Sequence, residues 1–216
     1  MGLGRVRVGY VLLLGLVTGS VAASHGSPWP PQRMSSTRQW KGSFIYERRF
    51  ASRSASCDVH GDETMQGVIS CKGDDPAHLR CSAEGTVRYS YDEEIGFSDV
   101  RAPLRRTDVG EYSGPLSQHL DLRRRGQDWR YDLGIDANVP IHYTEAAGDG
   151  RTRNGAYLLD VAAGTELAHF NPASGEINFE RNEPVSEPGP QSCGSPVNNG
   201  KSHFAFRLLT DGHNPW

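Results

Sequence analysis

From Arg38 onward the chain alternates apolar and polar positions with a period of two. Trp40, Phe44 and Tyr46 share one parity, while Gln39, Lys41, Ser43 and Glu47 take the other, the pattern of a strand with one face buried and one face wet. Cys81, Ala83, Val87, Tyr89 and Tyr91 alternate in the same way with Ser82, Glu84, Thr86, Arg88 and Ser90. Trp129, Tyr131, Leu133 and Ile135 alternate with Asp128, Arg130, Asp132 and Asp136. Less regular segments at Thr64–Cys71, Leu116–Leu122, Val139–Thr144, Ala156–Val161, Glu166–Phe170, Glu176–Glu180 and Ser202–Leu209 bring the total to about ten short strands. Turn clusters such as Lys72-Gly73-Asp74-Asp75-Pro76 and Asn171-Pro172-Ala173-Ser174-Gly175 separate them. No window carries a helical stripe over three turns, although Gly96 to Gly114 has room for a helix or two. The expected fold is therefore all-β, an antiparallel β-sandwich or β-barrel reinforced by disulfides.

The first 23 residues break this pattern. Arg5 and Arg7 precede an apolar run from Val8 to Val21, and Val21-Ala22-Ala23 supplies small residues for cleavage, the order of a secretory signal peptide. The run is about 14 residues long, short of the roughly 20 that span a bilayer as a helix. Residues 24–37 are rich in Ser and Pro and read as a flexible leader, so the folded domain is expected from residue 38 to residue 216. Removing residues 1–23, which hold two arginines and no acids, moves the net charge from −3 to −5. The expected product is exported, to a bacterial periplasm or the medium, with no transmembrane span after cleavage.

Export changes the reading of the cysteines. Cys57, Cys71, Cys81 and Cys193 all follow the signal, and an even number in an oxidising compartment points to disulfides. Three connectivities are open; the spacing leans to Cys57–Cys71 with Cys81–Cys193. The latter would pin the stretch from Asn182 to Gly200, whose four prolines forbid ladder pairing and imply a long loop.

Candidate chemistry is sparse. Gly200-Lys201-Ser202 lacks the glycine five positions earlier that a phosphate-binding loop needs, and neither G-x-S-x-G nor HExxH occurs. His119, His142 and His203 fall on the polar parity and should face water, while His169 reads as partly buried. Asp58, His60, Asp62 and Glu63 lie within six residues and offer oxygens to a divalent cation such as Ca²⁺; no other cofactor is expected. Charge is segregated: Asp58 to Glu94 is strongly acidic, and Arg101 to Arg130 carries seven arginines against four acids. Arg105, Arg106, Arg123, Arg124 and Arg125 are candidates to grip an anionic ligand or an exported protein partner.

Nucleic-acid binding does not suit a net acidic chain without a recognition module. An outer-membrane barrel does not suit strands whose outward positions are charged. The leading expectation is a soluble exported binding or interaction protein, for example an inhibitor or immunity-type partner of another exported protein. The alternative is a secreted hydrolase or carbohydrate-active enzyme using strand-borne carboxylates such as Asp132, Asp136 and Asp160 with a histidine.

Overall fold

The structure is a computed structural model, and it describes residues 38–54, 56–73, 76–96, 103–125, 128–171, 173–187 and 197–210. Eight strands follow in order: β1 (Arg38–Ser54), β2 (Cys57–Gly73), β3 (Arg80–Ile95), β4 (Leu104–Arg125), β5 (Asp128–Ala146), β6 (Thr152–Asn171), β7 (Glu176–Glu187) and β8 (Val197–Thr210). Each pairs antiparallel with the next, and β8 pairs with β1, so the sheet closes into an up-and-down barrel. An eight-stranded barrel has an interior just wide enough to be filled by side chains or to hold one small ligand.

The strands are long, 22 residues in β4 and 20 in β6, and this is where the expected ten short strands merge into eight. Thr64–Cys71 continues back through the acidic stretch to Cys57. Ala156–Val161 and Glu166–Phe170 both belong to β6. The apparent breaks are residues with a job in a strand. Gly61 faces inward beneath the Phe50 ring and Gly155 beneath the Tyr143 ring, so a methyl group at either would overlap the ring that pairs across from it. The helix allowed between Gly96 and Gly114 is not formed over its described part, where β4 runs from Leu104.

Alternation decides what fills the barrel. Trp40, Phe44, Ile69, Tyr131, Leu133 and Phe206 point inward and are each at most 3% exposed, and with Ile177 and Leu208 they form an apolar core toward the β6–β7 turn. Each such side chain contributes about 1.5–3 kcal/mol on burial. Trp40 also donates its indole N–H to the carbonyl of Gly175 at 3.0 Å, so the turn's backbone is anchored from inside. Gly175 takes a positive φ of 73°, a conformation that glycine adopts without a Cβ penalty. Around the same level Phe44 pairs with Gly67, Gly67 with Gly85 and Gly85 with Gly114. This row of glycines leaves room for the Phe44 ring over Gly67 and for Leu116 over Gly85 and lets the sheet bend sharply enough to close.

Cys71 and Cys81 are bonded to one another across the paired β2 and β3 strands, directly beside Trp40. The expected Cys57–Cys71 and Cys81–Cys193 bonds are therefore excluded: register places Cys71 opposite Cys81, which spacing alone does not reveal. Cys57 is disulfide-bonded too, and Cys193 lies outside the described residues.

Two further expectations are corrected. Asn182 to Glu187 and Val197 to Gly200 are strand, not loop, and only residues 188–196 between them lie outside the described residues. Pro184 is accommodated because β7 pairs with β6 only from Glu176 to Asn178, leaving its other edge without that ladder at the proline. His169 is exposed, because the β5–β6 register slips between Tyr131 and Leu133 and reverses the parity of β6, turning Ala168 and Phe170 inward.

The outer wall is wet. Lys41, Glu47, Asp62, Arg88, Asp136 and Asp160 occupy outward positions around the barrel, beside exposed Val68, Val109 and Leu158. Among the described residues no helix is long and apolar enough to cross a membrane.

Candidate functional site: a polar layer inside the barrel

Beyond the apolar core the inward positions change character. Arg48, on the parity of Trp40 and Phe44, pairs across the sheet with Glu63, and Glu63 pairs with Tyr89. One rung further, Tyr91 lies opposite Asp108 and Asp108 opposite Tyr143; on the rung after that, Glu93 and Glu145 flank Arg106 from both sides. Strand alternation thus delivers arginines, carboxylates and tyrosines to the barrel interior, where apolar side chains are the norm.

Two ion pairs organise this layer. Arg48 Nη1 donates to Glu63 Oε2 at 3.0 Å, and Glu63 is 5% exposed. Arg106 grips Asp108 with two parallel bonds, Nε to Oδ1 at 2.7 Å and Nη2 to Oδ2 at 2.9 Å, and Tyr157 donates its hydroxyl to the same Oδ2 at 2.7 Å. Asp108 is 2% exposed, so its charge is compensated by three donated hydrogen bonds in place of water. Both guanidinium groups also lie against aromatic faces, Arg48 over Phe50 at 5.4 Å and Arg106 over Tyr143 at 4.9 Å.

The network holds protons where they are. Burial, followed by the charges of Asp108 and Glu63, raises the Tyr89 hydroxyl from 10.0 to about 12. Tyr157 is raised further, by burial and then by its bond to Asp108, and Tyr91 by burial and then by Glu93. Arg106 is held protonated above its ordinary value, chiefly by its bonds to Asp108. These groups act at neutral pH as fixed donors, cations and acceptors.

A small apolar cluster closes the far side of the layer: Cys57, Val59 and Ile95, with Phe50, Tyr91 and Leu104 packed against it. Toward β4, β5 and β6 the layer stays open to water. Arg106 retains 34% side-chain exposure, and Tyr143, Tyr157 and Leu159 are only half-buried although they point inward.

Compared with models of protein families, with curated proteins and with solved structures, the chain matches none. The functional reading therefore rests on geometry.

The residues singled out from sequence are dispersed. Arg105 faces outward and pairs with Glu94, whereas Arg106 faces inward. Arg123, Arg124 and Arg125 sit at the other end of β4, roughly 55 Å along the strand from Arg106. The five arginines are not one grip, because a 22-residue strand carries the two groups to opposite ends.

The proposed metal cluster also divides. Asp58, His60 and Asp62 are on the outer wall, where Asp62 pairs with Arg49 and Asp58 with Arg53, while Glu63 is on the inner wall. In a strand these positions are part of β2 rather than a loop, so successive side chains point apart. Among the described residues no group of three or more His, Cys, Asp or Glu can hold a metal ion. Asp132, Asp136 and Asp160 all face outward, Asp132 beside His119 at 3.5 Å, and they line no common cleft among the described residues.

Sequence reasoning missed Arg48, Asp108, Tyr143 and Tyr157, and read Glu63 only as a candidate cation ligand. The signal was present: Arg48 continues the parity of Trp40, Phe44 and Tyr46.

Proposed function

We propose that the protein is an exported binding protein whose site is the polar layer within its barrel, taking one small ligand from the side of β4, β5 and β6. The observation that carries this reading is the contrast in burial: inward side chains of the apolar core are sealed, while inward Arg106, Tyr143 and Tyr157 are reached by water. A buried ion network contributes less to stability than well-packed apolar side chains of similar volume. Its presence beside an opening suits recognition: hydrogen-bonding groups set in aromatic walls orient a ligand. Export is part of the proposal and rests on the signal-like residues 1–23.

The test is native mass spectrometry of the protein produced with residues 1–23 intact and recovered after export under non-reducing conditions. Retained mass in the small-molecule range that disappears in Tyr157→Trp, which crowds the opening, supports the proposal. A bare protein, or a bound mass that Tyr157→Trp leaves in place, contradicts it.

A further inference from the structure

We infer, resting on that reading, that the ligand of the polar layer is an organic cation, a quaternary or alkylated ammonium group, and not the anion suggested by the arginines of β4. Charge disfavours an anion. The ionisable side chains on the inward parity at this level are Arg48, Arg106, Arg153 and Arg181 against Glu63, Glu93, Asp108, Glu145 and Glu183, a local excess of one negative charge. Arg48, Arg106 and Arg181 are already engaged by carboxylates and Arg153 lies opposite Glu145, so an entering anion meets no surplus of positive charge.

The aromatic walls favour a cation. Phe50 and Tyr91 form one tilted ring pair, with centroids 6.4 Å apart at 42°, and Tyr143 and Tyr157 form another, 6.4 Å apart at 44°. Aromatic faces attract cations through the ring quadrupole, most strongly where water is partly excluded. The barrel uses this chemistry on Arg48 and Arg106: each guanidinium rests on a ring with a carboxylate in contact. A ligand ammonium group repeats that arrangement, with rings for its methyl groups and the surplus negative charge for its own. Its apolar remainder extends toward half-buried Leu159.

Three probes of nearly one shape separate the possibilities: choline, its neutral carbon isostere 3,3-dimethylbutan-1-ol, and the anion 3,3-dimethylbutanoate. Each is titrated into disulfide-intact residues 24–216 while amide resonances are followed by NMR. Choline is expected to shift the amides of Phe50, Tyr91, Tyr143 and Tyr157 and to bind at least tenfold more tightly than the neutral isostere, with the anion weakest. Added salt should weaken choline binding, and Tyr91→Leu or Glu145→Gln should weaken it severalfold while the spectrum stays dispersed. Equal binding of all three, or preference for the anion, overturns the cationic assignment while leaving the site in place. Choline shifts confined to outward residues overturn it as well. If no probe binds while the exported protein carries a neutral or anionic mass, the site stands and the cationic assignment falls.

Discussion

The two halves of this barrel are built from the same alternation and do opposite things. In the apolar half most inward positions are spent on packing, and the polar groups there, such as the Trp40 indole N–H and the Thr210 hydroxyl, are committed to turn carbonyls. In the polar half the inward positions carry four arginines, five carboxylates and a set of tyrosines, held together by hydrogen bonds and ion pairs at a cost in desolvation. The difference separates two kinds of interior: one half is closed by packed side chains, the other holds charges and ring faces within reach of water.

The largest expected effect lies in the apolar half. Trp40→Ala should cost about 3–5 kcal/mol, because it opens a cavity and orphans the Gly175 carbonyl; chemical denaturation measures it, and a loss below 1 kcal/mol would make the two halves equivalent. Breaking the Cys71–Cys81 bond with Cys71→Ser and Cys81→Ser should cost about 2–3 kcal/mol, as expected for a loop closed over a separation of 10 residues. Asp108→Ala should cost about 1–3 kcal/mol, since it strips Arg106 and the Tyr157 hydroxyl of their shared acceptor. Tyr157→Phe removes one of Asp108's three bonds and should cost about 1 kcal/mol.

Alkaline pH sharpens the comparison further. Below pH 10 the tyrosines are protonated in both the folded and unfolded chain and contribute no pH dependence. Between pH 10 and about 12 the unfolded chain ionises while Tyr89 resists, so stability should fall across that window. Tyrosinate absorbance followed beside circular dichroism should show the late-titrating tyrosines released together with unfolding. Their full ionisation near pH 10 in a folded protein would mean the polar layer is simply solvated.

How much of this was legible in the residues follows from the same division. Alternation at Trp40, Phe44 and Tyr46, and again from Cys81 to Tyr91, identified the all-β class and the inward faces, because a strand's period of two is local. The pairing of Cys71 with Cys81 was not legible, since it depends on strand register. Nor was the assembly of the polar layer: Arg48, Asp108 and Tyr157 are far apart in sequence and meet only when the sheet closes on itself. The clusters that did stand out misled for reasons of strand geometry: the length of β4 carries Arg105 and Arg106 away from Arg123 to Arg125, and alternation splits Glu63 from Asp62 and Arg106 from Arg105. Adjacent residues in a strand face opposite sides of the wall, so proximity along the chain separates them in space.

The central claim is that the polar layer is there for a ligand rather than for stability. The double substitution Arg106→Met with Asp108→Leu tests it most directly, by replacing the interior ion pair with apolar side chains. Denaturation and native mass spectrometry are then read on the same sample. The account predicts stability within about 1 kcal/mol of the unaltered protein, or above it, together with loss of the bound small molecule. A fall of several kcal/mol with the bound mass retained would show that the layer is structural, and would contradict the account.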